Sequence, residues 1–174
     1  MADLTGKLVA IVATNRFEDS ELTSPKEAVE AAGATTHVIA TEPGEIEGKN
    51  GTKVAVDVTT SRADAADYDA LILPGGTGNA DTIRTDEAAV EFVRALREAG
   101  KPTGVICHGG WILTDANVIR GVKLTSYKSI KTDLVNAGAQ WVDEEVVVDG
   151  GFISSRTPKD LPAFNAALVA EFAK

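Results

Sequence analysis

Four short runs of apolar, largely β-branched residues recur along the chain, each followed by a turn and then an amphipathic segment. They are KLVAIVA (7–13), THVIA (36–40), DALILPG (69–75) and PTGVICH (102–108), with a weaker VKLTSY at 122–127. A strand that is apolar at nearly every position has no face for water, so it belongs in a parallel sheet covered by helices on both sides. The helical segments carry matching signals. Ser24-Pro25-Lys26-Glu27 reads as a capping box with proline at the first helical position, and Gly33 closes that helix. Asp86 caps a segment that buries Ala89, Phe92, Val93 and Leu96 and ends at Gly100. Residues 129–137 form a further helix with Ile130 and Leu134 at helical spacing, followed by Gly138. The last helix starts near Thr157-Pro158 or Asp160, with Leu161, Phe164, Leu168 and Phe172 on one stripe.

Two stretches break this alternation. EIEGKNGTKVAVDV (45–58) holds Asn50-Gly51 between extended arms, and EVVVDGGFISS (145–155) holds Asp149-Gly150. Both read as β-hairpins. With 174 residues and neither repeat nor linker, the chain is expected to fold as one α/β domain over 1–174, mostly parallel with hairpin additions.

Charge and composition narrow the function. The 17 basic and 26 acidic residues give a net charge of -9, a field that repels phosphate backbones and anionic lipid. General nucleic-acid binding and a membrane-surface role are therefore disfavoured. No apolar run approaches the roughly 20 residues of a membrane helix. MADLTGK at the N-terminus has no basic segment followed by an apolar stretch, so a cytoplasmic location is expected. One cysteine excludes an intramolecular disulfide, and with two histidines a structural zinc site lacks ligands. No metal and no cofactor are expected.

In a parallel sheet all strands end on the same edge, and ligands bind there. Three polar clusters directly follow strands: Asn15 to Asp19, Gly75 to Asn79, and Cys107 to Gly110. Topology alone brings them to one rim. Cys107 is the sharpest of these features, because a strand turning straight into a helix presents a nucleophile on a tight bend. Gly109, two residues on, lets the chain turn closely, whereas Val105, two residues before, is bulkier than the glycine of hydrolase elbows. A thiolate at a helix N-terminus is expected to have a lowered pKa. The plain alternative is a buried hydrophobic cysteine.

His108 is the candidate proton shuttle, or else a residue that caps the helix start. His37, inside the second strand, reads as structural. Glu18, beside apolar Phe17, is the carboxylate to pair with Cys107, since partial burial would raise its pKa and let it donate to sulfur. Asp19 and Glu21 read as ordinary acidic residues of a helix first turn. The run Gly75-Gly76-Thr77-Gly78-Asn79 lacks the position of a dinucleotide fingerprint and the lysine of a P-loop. It reads as a turn whose backbone N–H groups line an oxyanion site opposite Cys107.

Cys107-His108-Gly109, LPGG (73–76) and FED-x-E (17–21) together resemble the ThiJ/PfpI family, and so do GVKLTSY (121–127), AGAQWVDEEVVVDG (137–150) and SSR-x-P (154–158). Members include intracellular cysteine peptidase-like proteins, bacterial stress proteins and a human deglycase. The resemblance covers nearly the whole chain. It implies a flavodoxin-like three-layer α/β/α sandwich akin to class I glutamine amidotransferase domains. It also implies Cys107 as nucleophile, Glu18 as neighbouring acid, His108 as histidine, and the backbones of Gly76 and His108 as oxyanion donors. Asp81 matches an acid supplied from a second subunit, in a loop one residue longer than usual. Gly75, Gly109 and Trp111 would shape the substrate pocket, with Gly110 and Trp111 departing from the family pattern. A homodimer, or a hexamer built as a trimer of dimers, is implied. Three functions follow: an enzyme acting on small reactive aldehydes or glycated groups (glyoxalase or deglycase), an intracellular cysteine peptidase, or a redox-sensing or chaperone-like stress protein without catalysis.

Overall fold

The computed structural model describes residues 2–174. A seven-stranded sheet runs through it in the order β10-β11-β7-β6-β1-β2-β5. Here β1 is Leu8–Val12, β2 Thr35–Ala40, β5 Val58–Thr59, β6 Ala70–Leu73, β7 Thr103–Ile106, β10 Val147–Asp149 and β11 Phe152–Ser155. Every pairing in it is parallel except β10 with β11. Helices cover both faces: α1 (Asp19–Ala31) packs against α6 (Leu161–Phe172) on one side, and α3 (Glu87–Glu98) against α4 (Trp111–Ala116) on the other.

Alternation along the strands explains the two layers. Val9 and Ile11 of β1 and Ala70 and Ile72 of β6 join Leu22, Val29, Phe164, Leu168 and Phe172 in one core. Ala10, Val12, Leu71 and Leu73 point the other way, into a core with Phe92, Val93, Leu96, Ile112 and Leu134. Each large apolar side chain so buried contributes roughly 1.5–3 kcal/mol. The chain is thus the three-layer sandwich that its sequence implies, and among the described residues no helix is long and apolar enough to cross a membrane.

Three local expectations need correction. The first helix starts at Asp19, not after Ser24, and Pro25 lies inside it. Tertiary packing overrides the capping signal: Leu22 and Pro25 are buried on the face that meets α6, and Asp19 is held from outside the helix. VKLTSY yields only β8 (Lys123–Leu124), which pairs with β9 (Gln140–Trp141) apart from the main sheet. Asp86 does sit at the start of α3, but its carboxylate accepts from Thr60 Oγ1 at 2.6 Å and not from the helix backbone.

Both hairpins form. β10 and β11 extend the main sheet, whereas β3 (Glu45–Glu47) and β4 (Lys53–Ala55) pair only with each other. This second hairpin is tied to the loop after β1. Arg16 N donates to Glu47 O at 2.8 Å, Lys49 N donates to Phe17 O at 3.0 Å, and the Asp19 carboxylate accepts from Asn50 N and Thr52 N.

Candidate active site

The loops after β1, β6 and β7 converge at the C-terminal edge of the sheet around a cavity of about 270 Å³. Its walls are Glu18, Glu21, Lys49, Gly76, Thr77, Cys107, His108, Tyr127, Thr157 and Pro158. Cys107 follows β7 directly with φ at 59°, a left-handed backbone that costs a non-glycine residue on the order of 1–3 kcal/mol. That is the bend expected of a nucleophile elbow. The tight turn Cys107–Gly110 follows it and leads into α4.

Close packing beneath the cysteine depends on glycine. A Cβ on Gly75 would lie 2.2 Å from Glu21 Oε1 and 2.7 Å from Cys107 Cβ. Gly76 has φ at 88°, and a Cβ there would meet Arg16 O and Glu18 N at 2.5 Å. Asn79, fully buried, fastens this loop to the neighbouring strand end. Its Oδ1 accepts from Thr14 N at 2.7 Å, and its Nδ2 donates to the carbonyls of Pro74 and Gly75. The glycine run is therefore a cradle for two side chains, and the backbone N–H groups of Gly76 and His108 are directed at the Cys107 sulfur.

The buried acid beside the cysteine is Glu21, although its place in the sequence is that of an ordinary first-turn residue. It is wholly buried; Gly75 N donates to its Oε1 at 3.0 Å, and its Oε2 has no hydrogen-bond partner among the described residues. Its side chain is hydrogen-bonded with Cys107. Glu18, three residues earlier, stands in the cavity wall and forms an ion pair with Lys49 of the β3–β4 hairpin. The periodicity could have shown this. Glu21 shares the i, i+4, i+8 stripe of Pro25 and Val29, which face the core.

Burial, reinforced by Glu18, raises the Glu21 pKa to about 8, so this carboxyl keeps its proton at neutral pH. Burial and the charge of an ionised Glu21 push the Cys107 thiol up to about 12, opposite to the lowering expected from a helix N-terminus. The short turn after Cys107 provides two backbone donors, which do not outweigh that burial. Each group acts on the other, so their titrations belong to the pair. While Glu21 holds its proton, the repulsion is absent and its O–H becomes a third donor to sulfur beside the N–H groups of Gly76 and His108.

His108 does reach the sulfur, although it is the adjacent residue. Its Nδ1 lies 3.3 Å from Cys107 Sγ, and its Nε2 lies 3.1 Å from Ser129 Oγ and 3.5 Å from Thr77 Oγ1. The ring stacks on Tyr127 at 4.9 Å between centroids, and Tyr127 N donates to Cys107 O at 3.1 Å. Burial lowers the His108 pKa, which leaves a neutral imidazole able to accept a proton. With the thiol as donor to Nδ1, the proton of the ring sits on Nε2 and is donated to Ser129.

The remaining candidates lie elsewhere. Asp81 is exposed on α2 (Thr77–Ile83) and forms no ion pair among the described residues. Trp111 stands behind His108, edge-on at 5.4 Å, with its Nε1 donating to Asp133 at 2.8 Å. Gly75 and Gly109 pack beneath the cavity and do not line it. His37 is structural as read, its Nδ1 2.9 Å from the Tyr68 hydroxyl. Lys49 and Ser129 had no signal of their own, and Tyr127 and Thr157 stood only within stretches that resemble the family, with no role attached. They arrive from a hairpin and loops far along the chain.

Comparison with known proteins assigns the chain to a family. The profile of the DJ-1/PfpI family matches residues 7–171. The chain is 46% identical over 160 residues to the putative cysteine protease YraA of Bacillus subtilis, covering 91% of this chain and 94% of that one. It is 45% identical over 156 residues to the deglycase PH1704 of Pyrococcus horikoshii, covering 90% and 93%. Among solved structures, a two-domain protein from Anabaena variabilis with DJ-1/ThiJ/PfpI-like and ferritin-like domains superposes with a TM-score of 0.91. That pair is 36% identical, and the match covers 94% of this chain and 47% of that one.

Proposed function

Since the chain belongs to the DJ-1/PfpI family, we propose that it is a stress-related cysteine enzyme that converts small reactive carbonyl compounds at Cys107 without a cofactor. One observation carries this reading: Cys107 Sγ stands on a strained bend with a neutral imidazole nitrogen at 3.3 Å and a proton-bearing carboxyl beside it. That is a thiol with a base for its proton and an acid for the oxygen of its adduct. The relatives named deglycase and putative cysteine protease agree with a nucleophilic thiol. A cavity of about 270 Å³ favours a small substrate over a polypeptide.

For an α-oxoaldehyde the steps balance within one molecule. Sγ attacks the aldehyde carbon, the thiol proton passes to His108 Nδ1, and His108 hands that proton on to the alkoxide, which gives the hemithioacetal and leaves the imidazole neutral again. His108 then removes the proton of that carbon and returns a proton to the neighbouring ketone carbon through an enediol. The aldehyde carbon is thereby oxidised to a thioester as the ketone is reduced to an alcohol. Water hydrolyses the thioester, restoring the thiol and releasing a 2-hydroxy acid. Ser129 holds the ring by accepting from Nε2, so the base is assembled within a single chain. Asp81 of a second copy in a homodimer or hexamer would add a further acid to this arrangement.

The test is lactate formation from methylglyoxal followed by NMR, for wild type and Cys107→Ser. Multiple equivalents of lactate from wild type and none from the variant are expected. Following the product matters, because a thiol that only traps aldehyde also consumes it. Lactate from neither protein overturns the reading and leaves peroxide-sensitive Cys107 as the centre of a redox response.

A further inference from the structure

The cavity at Cys107 continues into a second groove of about 370 Å³ that it meets at Tyr127 and Thr157. Ser126, Lys128, Asp143, Arg156, Lys159 and Asp160 complete its walls. Charge is unevenly spent there. Arg156 takes both carboxylates: its Nε lies 2.9 Å from Asp160 Oδ2, and its NH1 lies 2.9 Å from Asp143 Oδ1. Lys128 and Lys159 are exposed and have no carboxylate within ion-pair distance among the described residues. Three cations against two carboxylates leave the groove net positive on a chain of net charge -9. The two free ammonium groups flank the shared wall, one directly after Tyr127 and one directly after Pro158. Tyr127 also stacks on His108, so the groove begins where the reacting atoms end.

We propose that this groove is a subsite for the anionic end of the substrate, a carboxylate or phosphate carried a few atoms from the carbonyl that Cys107 attacks. Lys128 and Lys159 supply the charge, and the Thr157 hydroxyl supplies a hydrogen bond. The substrates favoured over neutral aldehydes are then acidic carbonyl compounds. Other lysines of the chain also lack a carboxylate partner among the described residues, but Lys128 and Lys159 line a net-positive groove that shares Tyr127 and Thr157 with the cavity of the nucleophile, on a chain whose general field disfavours anions. This inference rests on Cys107 being the reacting group, and its test separates the two.

Cys107 is modified with 4-maleimidobutyrate and with the corresponding neutral amide, and both rates are read by mass spectrometry. Wild type is expected to react about 5–10 times faster with the acid relative to the amide than does Lys128→Gln/Lys159→Gln, whose rate with the amide stays unchanged. Lys7→Gln/Lys101→Gln makes the same charge change at the opposite edge of the sheet, where these residues precede β1 and β7. It is expected to leave the ratio alone. The preference should fade as salt rises. An equal fall in both double variants, or no preference in wild type, overturns the subsite. Failure of both maleimides to react overturns the reactive thiol, and the groove is then judged by amide NMR with propionate and with inorganic phosphate. Saturable shifts at 127–129 and 156–159 that vanish in the Lys128→Gln/Lys159→Gln variant uphold it and show which anion it prefers; no saturable shift overturns it.

Discussion

The floor and the mouth of the cavity each contain a glutamate, three residues apart on the same chain segment, and they behave as different chemical groups. At the mouth, Glu18 meets Lys49, whose side chain is half exposed. At the floor, Glu21 is sealed under Gly75 and forms no ion pair among the described residues, and it keeps its proton at neutral pH. Composition cannot distinguish the two. One turn of helix separates a solvated ion pair from a buried acid, and water decides which carboxyl can exchange protons with the sulfur.

Mutations should grade this contrast from floor to mouth. The largest loss belongs to Gly75→Ala, whose methyl would collide with both Glu21 and Cys107. Turnover is expected to fall at least about 100-fold, since misplacement of a reacting group by about 1 Å costs that much. Near-wild-type turnover in a folded variant would contradict the packing described.

Glu21→Leu removes the donor to sulfur, and Glu21→Gln retains one. The pH midpoint of iodoacetamide labelling at Cys107 should fall in both variants, because the charge of ionised Glu21 that raises the thiol is gone, and fall further in the glutamine variant, which keeps a donor. An unchanged midpoint in both would separate the carboxyl from the thiol. Stability gives a second reading of the same group. The folded pKa of Glu21, about 8, lies above its unfolded value of 4.5, so the folded state holds an extra proton between them. That contribution is complete below pH 4.5 and is lost as pH rises through about 8. Urea unfolding of wild type and Glu21→Gln should diverge over this window by a few kcal/mol, because each pH unit across it changes the stability by roughly 1.4 kcal/mol.

Ser129→Ala leaves the Nε2 proton of His108 with Thr77 alone, at 3.5 Å. A loss of about 10-fold in kcat with little change in KM is expected, with recovery in Ser129→Thr. A change confined to KM would assign Ser129 to binding. The smallest effect is at the mouth. Lys49→Met should change stability by no more than about 1 kcal/mol in thermal unfolding, because the Lys49 end of the pair is half exposed. A larger loss would mean that the pair clamps the β3–β4 hairpin over the site.

What the residues alone determined is what depends on local pattern and on the logic of a parallel sheet. Runs apolar at every position had to be strands covered on both faces, and their shared C-terminal edge had to collect the loops of Cys107, Gly75 and Arg16. Asn50-Gly51 and Asp149-Gly150 marked both hairpins, since a tight turn is a matter of two or three backbone dihedrals. Tertiary structure alone decided which hairpin joined the sheet and which was held over the site by Asp19. It chose Glu21 over Glu18 as the acid at the sulfur, and it supplied Ser129 and Tyr127 to the imidazole from a segment about twenty residues away. Desolvation is the common cause. A carboxyl, a thiol and an imidazole take their proton affinities from what surrounds them in space, and neighbours in the chain do not specify those surroundings.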